Sequence, residues 1–202
     1  MSEERVEHLL AEVHDEFGMI RVLEVADYRF LEFGDAIEQS CVFTADPSWL
    51  EYDYTRAMLI GALCHEQPES ALFLGLGAGT LTQACLKFLP LEDVEAIELR
   101  PDVPRLAIEY LGLDDDPRLF IRIGDALELL DSAEPADLIF VDLYNDLGPA
   151  AGHLAWTFLE SCQKKLAPNG WLIINQWATD DGQPLGAALL RGLYHRHYWE
   201  LP

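Results

Sequence analysis

Three alternating glycines, Gly75, Gly77 and Gly79, follow the apolar run Ala71–Leu74 and open a helical segment at Thr80. Glycine is needed where the backbone turns sharply or a ligand must approach the main chain closely. The oriented N–H groups of the helix that follows add an attraction for electron-rich groups. Glu98 stands nineteen residues after Gly79, at the end of the next apolar run. A carboxylate there can accept both hydroxyls of a ribose. Gly124-Asp125-Ala126 ends the third run. Asp125 can accept a hydrogen bond from an adenine amino group, cap the next helix, or do both. Asp142 ends the fourth run, Leu138–Val141, before a loop with Gly148 and Gly152. Its carboxylate suits a general base or an anchor for a cationic group. Thr80 occupies the place of the third glycine in a dinucleotide fingerprint. The spacing therefore favours a nucleoside without a pyrophosphate, such as S-adenosylmethionine, over a dinucleotide.

Those residues need a scaffold that brings strand ends together. Short apolar runs at Ala71–Leu74, Val94–Ile97, Leu119–Ile123, Leu138–Val141 and Trp171–Ile174 alternate with helical segments near 80–89, 103–111, 125–131 and 153–166, and a last helix near 184–194. Strand–helix alternation of this kind predicts an α/β, doubly wound, mostly parallel sheet with helices on both faces. Before it, Val6, Leu9, Leu10, Val13 and Phe17 have helical spacing and predict an amphipathic helix over 3–17. A β-hairpin over 19–34, a short strand near 37–44 and a helix over 50–65 follow. The expected division is 1–48, an N-terminal helix with a small β-element, and 49–202, the nucleoside-binding domain. A sheet of this type commonly continues with more strands. The sequence leaves open a short sheet edged by His195–Trp199 or a longer sheet cut short.

Composition narrows the partners. Thirteen Lys and Arg against 36 Asp and Glu leave a net charge of −23. Such a chain repels phosphate backbones, so no nucleic acid is expected, whereas small cations are attracted. No apolar run approaches the length of a membrane span, and the acidic N-terminus is no secretory signal. Cys41, Cys64, Cys85 and Cys162 form no CxxC pair and read as buried thiols of a cytoplasmic protein. His195 and His197 have no ligating companions in sequence, so no metal is expected. Trp156, Trp171 and Trp177 read as core.

Together the motifs resemble the spermidine synthase (polyamine aminopropyltransferase) family. The resemblance runs from Phe17-Gly18 through Phe33-Gly34 and Gln39-Ser40. It continues over Glu51-Tyr52-Asp53-Tyr54-Thr55-Arg56-Ala57-Met58-Leu59, the glycine turn, Glu98 and Gly124-Asp125, to the Asp142 loop with Gly148-Pro149-Ala150. It covers nearly the whole chain up to Trp177. Within the family, the chain is most similar to a divergent bacterial spermidine-synthase-like group. The resemblance implies a Rossmann-like class I methyltransferase fold with a small N-terminal β-domain. It also implies transfer of an aminopropyl group from decarboxylated S-adenosylmethionine to a diamine such as putrescine, and a homodimer. It assigns the donor site to Gly75, Gly77, Ala78, Gly79, Glu98, Asp125 and Ala126, and the base to Asp142. Gln39, Tyr54, Asn145 and Asp146 would line the substrate site.

The departures from the family pattern concern carboxylates. Ala78 stands where the family's GGGDGG turn has an Asp that holds the donor's ammonium. Asn145 replaces the second Asp of the loop. The family's Glu shortly after the tyrosine has no counterpart among Arg56, Ala57 and Met58, and Leu50 replaces an Asp before Glu51. An Asp at 78 would repel the carboxylate of intact S-adenosylmethionine, and Ala78 removes that repulsion. Two further readings therefore stay open at this point: a small-molecule methyltransferase using S-adenosylmethionine, and a non-catalytic nucleoside- or polyamine-binding protein.

Overall fold

The computed structural model describes residues 6–34, 37–145, 148–177 and 186–194. Strands β1 (Glu7–Asp15), β2 (Gly18–Val25), β3 (Tyr28–Phe33) and β4 (Ile37–Phe43) pair in that order as an antiparallel meander. Period-two alternation puts Ile20, Val22, Leu31, Phe33 and Val42 on one buried face. The helix expected over 3–17 is strand β1 instead. Its register against β2 slips between Leu9 and Ala11. The irregularity disrupts the alternation, so Leu10 and Val13 acquire the three-residue spacing of a helix.

Next come α1 (Asp53–Ala62), β5 (Ser70–Leu74), α2 (Thr80–Phe88), β6 (Asp93–Glu98), α3 (Asp102–Tyr110) and β7 (Leu119–Ile123). The chain continues through α4 (Ala126–Leu129), a 3₁₀ turn at Leu130–Ser132, and β8 (Ala136–Val141). A ribbon of β9 (Tyr144–Asn145) and β10 (Gly148–Pro149) precedes α5 (Trp156–Lys165), β11 (Leu166–Ile174) and α6 (Ala187–Tyr194). The loop expected after Asp142 is thus partly ordered as this ribbon.

Five strands form a parallel sheet in the order β11-β8-β5-β6-β7. From central β5 the chain builds outward to β6 and β7, then crosses back to add β8 and β11 on the other side. The carboxyl ends of β5 and β8 therefore flank the crevice where strand order reverses, the place at which such sheets bind ligands. Alternate strand residues serve two cores. Phe73 and Phe140, stacked with ring centroids 4.5 Å apart, join the core that contains α1, α2, α3 and the meander. Leu72, Leu74, Ile139 and Val141 face α4, α5 and α6.

Polar contacts fix the meander on the α/β domain. The Arg100 guanidinium donates to both Asp15 carboxylate oxygens at 2.8 and 2.7 Å and to the Gly18 carbonyl at 2.8 Å. It also lies 4.5 Å from the centre of the Phe33 ring. Burial works to raise the Asp15 carboxyl, but the hydrogen bonds from Arg100 and Phe17 and the Arg100 charge hold it below its ordinary value. Arg29 Nη1 donates to the Tyr110 carbonyl at 2.6 Å. The four cysteines are free thiols, with Cys41, Cys85 and Cys162 buried; burial pushes Cys41 up to about 12. No helix among the described residues is long and apolar enough to cross a membrane.

Candidate active site

A cleft of about 1160 Å³ opens over the carboxyl ends of β5, β6 and β8, with the meander's end as one wall. Its first half is built on the glycine turn. Gly75 has φ +94°, and a Cβ there would run into the Asp142 carbonyl oxygen. Glycine thus allows the ends of β5 and β8 to touch. At Gly77, φ is +55° and a Cβ would sit 2.7 Å from Ser40 Oγ. That oxygen accepts the Ala78 N–H at 3.1 Å, so a residue of β4 holds the turn from above.

Glu98 holds the turn from below. One carboxylate oxygen accepts the Leu76 N–H and the other the Arg100 N–H, each at 3.0 Å. Burial pushes its carboxyl above the ordinary value in spite of these bonds and the nearby Arg100 charge. Asp125 caps α4 by accepting the Leu127 N–H at 2.8 Å. It remains exposed and lines the cleft with Ala126 and Leu127.

The other half centres on Asp142. The strand ladder fixes its backbone, with the Asp142 N–H donating to the Leu74 carbonyl at 2.9 Å. Asn175, just past β11, donates its amide N–H to Asp142 Oδ1 at 2.8 Å. The Tyr54 hydroxyl donates to the same carboxylate. Burial raises the Asp142 carboxyl and the two donors lower it, and burial prevails. Burial and the Asp142 charge also push the Tyr54 hydroxyl well above its ordinary range, keeping it a donor. The result is an oriented carboxylate of increased basicity inside a cleft, an arrangement fit to accept a proton. Tyr144 and Trp177 close this end, their ring centroids 6.0 Å apart.

Of the residues proposed from sequence, the cleft gathers Gln39, Tyr54, Gly75, Gly77, Glu98, Asp125, Ala126, Asp142 and Asn145. Ala78 and Gly79 do not line it. Ala78 is buried in the core below the turn, and Gly79 caps α2 in the left-handed conformation, against Leu113. Asp146, His195 and His197 lie outside the described residues. Trp177, expected in the core, is about half exposed and faces the cleft, and Trp156 is also exposed; Trp171 packs partly buried against the core. Sequence reasoning missed Asn175 and the polar duty of Ser40. Asn175 had a usable signal, since it follows the apolar run Trp171–Ile174 as Asp142 follows Leu138–Val141.

The polyamine aminopropyltransferase of Chromobacterium violaceum is 26% identical over 192 residues, covering 91% of this chain and 71% of that protein. That of Nitrosomonas europaea is 29% identical over 197 residues, covering 94% of this chain and 58% of that protein. The chain thus spans roughly six to seven tenths of the length of these relatives. A spermidine synthase in complex with the transition state analogue AdoDATO superposes with a TM-score of 0.72 at 21% identity, over 94% of this chain and 64% of that one. Human methyltransferase-like protein 13 in complex with SAH gives 0.61 at 26% identity, over 70% of this chain and 72% of that one. These likenesses agree with the mostly parallel sheet and helices described above. The family model for the spermine/spermidine synthase domain matches residues 52–179, more than half of the chain, and the chain belongs to that family.

Proposed function

We propose that the chain transfers an aminopropyl group from decarboxylated S-adenosylmethionine to an amine such as putrescine, releasing methylthioadenosine. The observation that carries this reading is the Asp142 carboxylate, oriented by Asn175 and Tyr54 in the same cleft as the Glu98-held glycine turn. Glu98 already accepts the Leu76, Gly77 and Arg100 N–H groups, and the lone pair that remains suits a ribose hydroxyl. Asp125, which lines the same cleft, accepts the adenine amino group in this reading. Gln39, Tyr54 and Asn145 line the acceptor side.

The chemistry is a displacement. An alkylammonium has a pKa of about 10.4 and no free lone pair, so the acceptor must give up a proton to react. Its nitrogen then attacks the carbon beside the sulfonium. The new C–N bond forms as the C–S bond breaks, and the bonding pair leaves on sulfur as a neutral thioether. Asp142 takes the proton from nitrogen, and its raised basicity favours that transfer. Held in line in the cleft, the reactants need no further diffusion to meet.

One observation favours intact S-adenosylmethionine and methyl transfer instead. Residue 78 is a buried alanine, so no acid of the turn from Gly75 to Thr80 repels the carboxylate of that donor. Calorimetric titration with both donors, side by side, separates the readings. Tighter binding of the decarboxylated donor is the expected result. A preference for the intact donor moves the assignment to methyl transfer, and binding of neither overturns the nucleoside site. In the same titration, Glu98→Gln is expected to weaken the bound donor about ten- to a hundredfold, the worth of hydrogen bonds to a charged acceptor. Unchanged affinity in a folded Glu98→Gln protein would remove Glu98 from the ribose.

A further inference from the structure

His153 lies outside the cleft lining and is buried, with 4% of its surface exposed. Its Nδ1 is 2.6 Å from the Ala150 carbonyl oxygen. A carbonyl only accepts, so Nδ1 carries a hydrogen. Nε2 is buried with no partner among the described residues. A buried polar atom left unpaired is costly, which makes the placement of this ring unusual for mere packing.

Contacts run from His153 towards Asp142 along two routes. In the first, the bond to the Ala150 carbonyl holds Ala150, whose N–H donates to the Leu143 carbonyl at 2.9 Å, next to Asp142 in the chain. In the second, the His153 ring packs on the Tyr144 ring, centroids 6.4 Å apart. The Tyr144 hydroxyl donates to the Asn175 carbonyl at 3.3 Å, and the Asn175 side chain donates to Asp142 at 2.8 Å. The two routes close a ring of contacts around the β9–β10 ribbon, which pairs Tyr144 with Pro149 and Asn145 with Gly148.

We propose that His153 is a positioning residue: it holds the β9–β10 ribbon against Asn175 and so fixes where the Asp142 carboxylate stands. The kinetic part rests on the transfer reaction proposed above, and the structural part does not. His153 touches no reacting atom. It acts through Ala150 and Tyr144, and the ribbon is the element it sets.

The test compares His153→Leu and His153→Asn in the full chain by amide hydrogen exchange and by kinetics. Leucine removes the donor. Asparagine returns an N–H at nearly the place of Nδ1. In His153→Leu, exchange at the Ala150 amide is expected to quicken about tenfold, the worth of one weakened hydrogen bond. Turnover is expected to fall about ten- to a hundredfold, as for a misplaced catalytic group, with methylthioadenosine affinity unchanged. His153→Asn is expected to recover both in large part. Wild-type exchange and turnover in His153→Leu overturn the proposal, as does a failure of His153→Asn to do better than leucine. If the wild type transfers nothing from either donor, the reaction assignment falls and the exchange comparison alone decides about His153. If His153→Leu does not fold, the imidazole nitrogen shifts of the wild type decide. Hydrogen on Nδ1 supports the assignment, and a bare Nδ1 overturns it.

Discussion

Asp142→Asn is expected to lower turnover by about two to four orders of magnitude, the usual worth of a general base, with methylthioadenosine affinity essentially unchanged. The substitution is nearly isosteric. The asparagine oxygen can still accept from Asn175, so the ribbon and the ends of β5 and β8 stay in place. What disappears is an atom basic enough to take a proton from the attacking nitrogen. A single-turnover rate measures that step without product release. An undiminished rate would show that solvent or another group takes the proton. The pH profile provides a second reading. Because the Asp142 carboxyl lies above its ordinary value, activity is expected to rise with pH through that raised value as the carboxylate forms. The acid limb of the profile then sits above the ordinary aspartate value of 3.8, and Asp142→Asn abolishes it.

Arg100→Leu is expected to destabilise the fold by about 3–5 kcal/mol, the scale for breaking one side of a buried ion pair. The Arg100 and Asp15 side chains are only 6% and 11% exposed. Leucine leaves the Asp15 carboxylate without its guanidinium and the Gly18 carbonyl without its donor. Denaturant unfolding at neutral pH measures the loss. Its pH dependence has a definite sign. Asp15 in the folded state lies below its ordinary value of 3.8, so the bridge contributes fully above that value. The contribution is lost as pH falls through the lower folded value, because protons then bind the bridged carboxylate. Wild type and Arg100→Leu should therefore converge in strong acid. A gap that stays constant down to about pH 2 would mean that packing on Phe33, not the ion pair, carries the stability.

The parallel sheet was legible because its central strands β5 and β8 are buried on both faces and read as unbroken apolar runs, and the others read as apolar runs broken at most once. Gly75, Glu98, Asp125 and Asp142 were legible for a related reason. Each follows such a run, and the ends of neighbouring parallel strands share one edge. Strand β1 was not legible, because its irregular register destroys the period on which the reading depends. Asn175 escaped because its duty lies in a partner, Asp142, that is 33 positions away in sequence and adjacent only once β11 pairs with β8. Ala78 was assigned to the donor site by alignment with the glycine pattern. The positive φ of Gly77 and Gly79 on either side, and the bond from its N–H to Ser40, instead bury its methyl group in the core. Trp177 was misjudged because an aromatic after a strand looks the same whether it packs inward or shields a ribbon.

Ser40 and Arg100 connect the meander to the same few peptide groups, the former through the Ala78 N–H and the latter through Glu98. Occupancy of the turn and attachment of the four antiparallel strands are therefore thermodynamically linked. A ligand that binds only the intact turn, present at about a hundred times its dissociation constant, adds about 2.7 kcal/mol to the free energy of any opening that disrupts the turn. Peeling away of the meander is such an opening. Amide exchange in the meander through such an opening is then expected to slow about a hundredfold as the cleft fills, which makes the meander a built-in gauge of saturation.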